Sequence, residues 1–119
     1  MGRRSRRRGA EALSAPESEY RGADGDLLVL RGALSPASRR EYAAVQGGSP
    51  LSQEDAWQRS VEWLFERLTV RWDPGGAGEI TKQKELLARY RFAGGDERTW
   101  IRGVLRTHLA DNFPDLEAP

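Results

Sequence analysis

Cysteine is missing from all 119 residues. Its absence excludes disulfides, thiolate metal sites and cysteine nucleophiles, and nothing marks an oxidising compartment. Histidine occurs once, as His108, so no second imidazole can complete a metal site, and acids alone at irregular spacing make a poor one. Lysine is reduced to Lys82 and Lys84 beside seventeen arginines. With abundant Ala and Gly, that bias reads as the codon usage of a GC-rich genome rather than a functional choice. No apolar run approaches the ~18 residues of a membrane span. The basic N-terminus is followed by no apolar h-region, so neither a signal peptide nor a twin-arginine export signal is expected. Arg6 stands where a myristoylation motif after Gly2 requires Ser or Thr. The expectation is a cytoplasmic protein without a membrane partner.

What charge is present is segregated. The net value of +1 averages three blocks. Residues 1–10 carry Arg3, Arg4, Arg6, Arg7 and Arg8 and no acid. Residues 11–26 are acidic apart from Arg21, and residues 27–119 balance. Residues 1–25 hold almost no large apolar side chain beyond Leu13 and Tyr20. They cannot bury enough surface to offset the entropy of ordering, so a disordered basic/acidic tail is expected there, with a helical domain over residues 26–119.

Four helices are predicted in that domain. Ser35 and Pro36 suit an N-cap and first helical position, opening a helix that runs through Tyr42 and Val45 and stops at Gly47-Gly48. Ser52 to Asp55 form a variant capping box. The following helix carries Trp57, Val61, Leu64, Phe65, Leu68 and Trp72 on one face, with Asp55 and Arg59 spaced to pair. A third helix begins after Thr81, with Leu86, Leu87 and Tyr90 inward and Glu85–Arg89 as an i,i+4 pair. A fourth begins at Asp96, carries Ile101, Val104, Leu105, His108 and Leu109, and ends before Pro114. The run Leu27–Leu30 finds no strand partner in this reading, so it is expected as an irregular or extended segment packed on helices. The fold class expected is all-α: a small four-helix domain, a helical bundle with a disordered N-terminal tail.

Chemistry is thin. His108 lies among apolar neighbours and reads as a core or boundary residue. No Ser sits in a nucleophile elbow. Gly75 to Glu79 lack the G-K-[ST] of a phosphate loop. Glu62 and Glu66 read as a solvated face. No catalytic residue, metal site or cofactor is expected, and the protein is not expected to be an enzyme.

Two interaction readings remain. On a helical wheel Trp63 and Val70 fall opposite the main apolar stripe, with Arg59 and Arg67 nearby. Either the first helix and Leu27–Leu30 cover them, or they form a protein-partner or homodimer surface, since Trp flanked by Arg is the composition of interaction hot spots. The leading expectation is a non-enzymatic protein-interaction or accessory module acting through this aromatic helix surface. The alternative is a nucleic-acid-associated protein. It would use the Arg3–Arg8 arm and a row formed by Arg98, Arg102 and Arg106, four residues apart on the last helix. Thr99, Gly103 and Thr107 form a row of small side chains, which fits either a close helix approach or an exposed, tolerant face.

Overall fold

The computed structural model describes residues 16–47 and 53–119. The elements run β1 (Glu17–Arg21), β2 (Leu27–Arg31), α1 (Pro36–Gly47), α2 (Gln53–Leu68), β3 (Thr69–Asp73), α3 (Gln83–Arg91) and α4 (Gly95–Asn112), with a 3-10 turn at Pro74–Gly76. The four helices share the molecule with an antiparallel sheet in the order β1-β2-β3. The all-α, helical-bundle expectation is therefore corrected: the protein is mixed α/β.

The physical reason lies in the partners of Leu27–Leu30. β2 is the central strand, its Leu28, Val29 and Leu30 fully buried. On one side Tyr20 pairs with Leu28, and on the other Leu28 pairs with Trp72. The predicted second helix ran on to Trp72, but α2 ends at Leu68 and becomes β3 at the next residue. Thr69 and Val70 are β-branched, stiff at χ1 and better placed on a pleat than in a helix. Trp72 still reaches the core, fully buried, with its ring edge-on to Phe65 at 5.5 Å. β1 lies within residues 1–25, so the boundary expected at residue 26 falls inside the sheet. Arg3–Arg8, Gly48 and the Ser52 cap lie outside the described residues.

The two faces of the sheet differ. Leu28, Leu30 and Trp72 point into a core shared with Tyr42, Leu64, Phe65, Leu68, Ile101, Leu105 and Leu109. Val29 faces the other way, between Glu19 on β1 and Arg71 on β3. Arg71 pairs with Glu19 at 3.3 Å, so an ion pair joining the two outer strands spans the buried Val29. The β1–β2 turn needs Gly25 at φ +84°, a left-handed conformation costly for other residues. The adjoining Asp26 accepts the Gly75 N–H at 2.6 Å and ties the hairpin to the 3-10 turn.

Helix starts follow local chemistry closely. Ser35 Oγ accepts the Ser38 N–H at 3.1 Å, as an N-cap should. α3 starts one residue later than expected, with Lys82 in place of Thr81 as its N-cap, and α4 two residues earlier, with Gly94 in place of Asp96; there Glu97 accepts the Gly94 N–H at 3.3 Å. The predicted Glu85–Arg89 pair does not form. Arg89 instead grips Glu97 of α4 through both carboxylate oxygens, at 2.8 and 3.1 Å, while Glu85 faces Lys82. Arg59 does pair with Asp55, at 3.3 Å. The C-terminal segment returns across α1, where Arg39 binds Asp115 at 2.6 Å and Gln46 donates to the Glu117 carbonyl at 2.8 Å. No described helix is long and apolar enough to cross a membrane.

Candidate functional site

Trp63 sits on the side of α2 that faces α1. Tyr42 of α1 lies against it with ring centroids 5.5 Å apart. Arg67 places its guanidinium 5.3 Å from the Trp63 ring centroid and is held there by Glu41 at 2.8 Å. Trp63 is therefore half-buried, covered by Tyr42 of α1 and packed against the core cluster that includes Leu28 and Leu30. Its remaining surface lines a groove of about 430 Å³ between α1 and α2. Ala44 and Val45 supply the α1 wall; Asp55, Arg59, Glu62 and Glu66 supply charge along α2. Of the predicted surface, Trp63 and Arg59 line the groove and Arg67 braces Trp63. Val70 sits on β3 and is not among the lining residues, because the helix that would have aligned it with Trp63 stops two residues earlier.

A second concavity of about 160 Å³ opens between α2, α3 and α4. Arg98 lies over Tyr90 at 5.1 Å and donates to the Arg91 carbonyl at 2.9 Å. Arg102 lies over Trp57 at 4.7 Å, with its Nε donating to the backbone oxygen of Pro119, the last residue, at 3.4 Å. Arg106 continues the row one turn on and is exposed. None of the three pairs with an Asp or Glu side chain among the described residues, whereas Arg39, Arg59, Arg67, Arg71, Arg89 and Arg91 all do. Aromatic rings orient the first two guanidinia without cancelling their charge. Burial pushes the Tyr90 hydroxyl above its ordinary pKa, with Arg98 opposing the shift.

Sequence reasoning passed over Phe92. It follows α3 directly and is 86% exposed, the one large hydrophobic so exposed among the described residues. A bulky ring in a Gly-rich link, beside Ala93-Gly94-Gly95, was the available signal.

The remaining polar groups have structural partners. His108 is fully buried. Its Nε2 is 2.8 Å from the Arg31 carbonyl, which can only accept, so Nε2 carries the proton and Nδ1 accepts from the Tyr20 hydroxyl at 2.8 Å. Burial lowers the His108 pKa, against weaker raising effects of the Arg31 carbonyl and Asp111. Glu62 is occupied by Arg91 at 2.6 Å, so it does not act as a pair with Glu66. In the Gly-rich turn the N–H groups of Gly75 and Gly78 are taken by Asp26 and Asp73, a protein carboxylate already filling the role an anion would have. No group of three or more metal-ligating side chains occurs among the described residues. The small-residue row on α4 is exposed, and a Cβ added at Gly103 would meet nothing within 4 Å, so the glycine serves no close helix approach. Comparison with family models, with curated proteins and with solved structures gave no match.

Proposed function

We propose that the protein is a non-enzymatic interaction module of the cytoplasm, whose docking surface is the α1–α2 groove around Trp63. The observation that carries this reading is a tryptophan braced on one side by Tyr42 and Arg67 and open on the other to a groove of about 430 Å³. That volume lies within the range of pockets that hold ligands and anchor side chains. A pre-ordered aromatic binds at low entropic cost, which is why Trp dominates interface energetics. Asp55 pairs with Arg59 and Glu62 with Arg91, and Glu66 adds a further acid to the wall, so the groove suits an apolar segment that carries a basic residue, from another protein or a second copy.

The test is a peptide-display selection against the immobilised full chain, with each selected sequence then titrated against Trp63→Ala. Loss of a hot-spot anchor predicts roughly 30-fold weaker binding. Peptides that bind Trp63→Ala as well as the parent refute the groove as the docking surface. Sedimentation velocity on the same pair of proteins reads out the second-copy case.

A second reading is favoured by one specific observation, the row of Arg98, Arg102 and Arg106, none of which pairs with an Asp or Glu side chain among the described residues. Such a row attracts phosphates, and the chain would then associate with nucleic acid, with the Arg3–Arg8 arm adding to the attraction.

A further inference from the structure

We propose that the α3–α4 corner binds single-stranded nucleic acid, with Phe92 as a stacking platform and Arg98, Arg102 and Arg106 as the phosphate track. This rests on the second reading above and specifies the strand type and the residue that selects it. Two features otherwise without a role meet here. Phe92 presents its ring almost entirely to water. The Arg98 guanidinium donates to the carbonyl of Arg91, the peptide group that joins directly to Phe92. The head of the arginine row is thereby tied to the backbone that leads into Phe92.

Along α4 the row advances about 6 Å per step, at 1.5 Å per residue. The adjoining concavity of about 160 Å³ is too small for a whole drug-sized ligand. Arg98, Thr99 and Arg102 share its lining, which places two cations of the row at one small opening. Glu54 is the one carboxylate in that lining, and it pairs with neither guanidinium. Trp57 and Tyr90 already lie under guanidinia, so Phe92 is the aromatic left free for a base. A positive track with an unoccupied aromatic is the arrangement that binds single strands without base-specific readout. A duplex keeps its bases stacked inside and has no face to offer Phe92.

The experiment is fluorescence anisotropy on the full chain with a short labelled oligothymidine and with a mixed-sequence duplex of equal length, across a salt series. The single strand is expected to bind more tightly. Phe92→Ala should weaken it by about five- to a hundredfold while leaving duplex binding unchanged. Replacing the three arginines by Gln should lower the slope of log K against log salt by about 2 for the single strand. Arg106→Gln alone, at an exposed position that cannot unsettle the core, should lower it by about 0.7. If both nucleic acids bind equally and Phe92→Ala changes neither, the single-strand proposal is overturned while the nucleic-acid reading stands. If neither binds at low salt, both fall. If polyglutamate at equal charge displaces the labelled strand as effectively as unlabelled oligothymidine does, the proposal is overturned in favour of an acidic protein partner.

Discussion

Tyr20→Phe isolates one oxygen atom at the joint between the sheet and α4. The edge-to-face packing of the ring on His108, with centroids 5.6 Å apart, survives the change. What is lost is the hydroxyl that donates to His108 Nδ1 at 2.8 Å. A net hydrogen bond is worth about 1 kcal/mol, and leaving a buried acceptor unmet costs more. Here the loss should stay near the lower figure, because Asn112 Nδ2 remains 3.2 Å from the same nitrogen. With a urea m-value of about 1–3 kcal/mol/M, the unfolding midpoint should fall by about 0.3–1 M, read by tryptophan fluorescence. The pH dependence supplies an independent check. Burial holds the folded His108 pKa below its ordinary value of 6.5, so the unfolded chain binds the proton more readily. His108 therefore contributes stability that is present above about pH 6.5 and lost as pH falls toward the folded pKa. Removing the Tyr20 donor weakens the preference for neutral imidazole, so Tyr20→Phe should flatten this slope. Asp115, held below the usual carboxylate range by Arg39, acts in a more acidic window and does not obscure it. An unchanged midpoint together with an unchanged slope would refute the claim that β1 is fastened to α4 through this pair.

Gly103→Ala should stabilise the protein by up to about 1 kcal/mol, because the added methyl meets nothing and helix propensity rises; a higher melting temperature checks it, and a lower one would mean that α4 is closely covered there. Leu105→Ala, at a fully buried core position on α4, should cost about 2–5 kcal/mol by urea titration, since transfer energy and a cavity are both lost.

The helices were legible and the sheet was not, for reasons that particular residues make plain. Helix signals are local. Ser35-Pro36, the stripe from Trp57 to Leu68 and the apolar positions of α4 each lie within a few turns of the element they define. Strand pairing depends on distant residues. Leu27–Leu30 could not be recognised as a central strand while both of its neighbours were disguised. β1 reads Glu-Ser-Glu-Tyr-Arg, an edge strand with one large side chain for the core, and its charge resembles that of the preceding tail. β3 was hidden differently. Trp72 falls in phase with the α2 stripe, so helical periodicity carried past Leu68, although the β-branched pair Thr69-Val70 marked the change. The candidate site was divided in the same way. Trp63 stood out because it lies off the stripe, a property of α2 alone. Its cover by Tyr42 needed the α1–α2 packing, and Val70 was misplaced with the helix that ended early. Arg98, Arg102 and Arg106 were visible as spacing, but their freedom from Asp and Glu side chains depended on where Glu97 and Glu62 found other partners.

The direct passage from α2 into β3 also bears on the order in which the chain assembles. Leu28 must find Trp72 far along the sequence, a closure that is entropically slow for an unguided coil. The helices α1 and α2 lie between them and dock on each other through Tyr42 and Trp63. Because no linker separates Leu68 from Thr69, docking α2 delivers β3 to the edge of β2. The α1–α2 pair, once docked, therefore shortens the search by which the central strand gains its second neighbour.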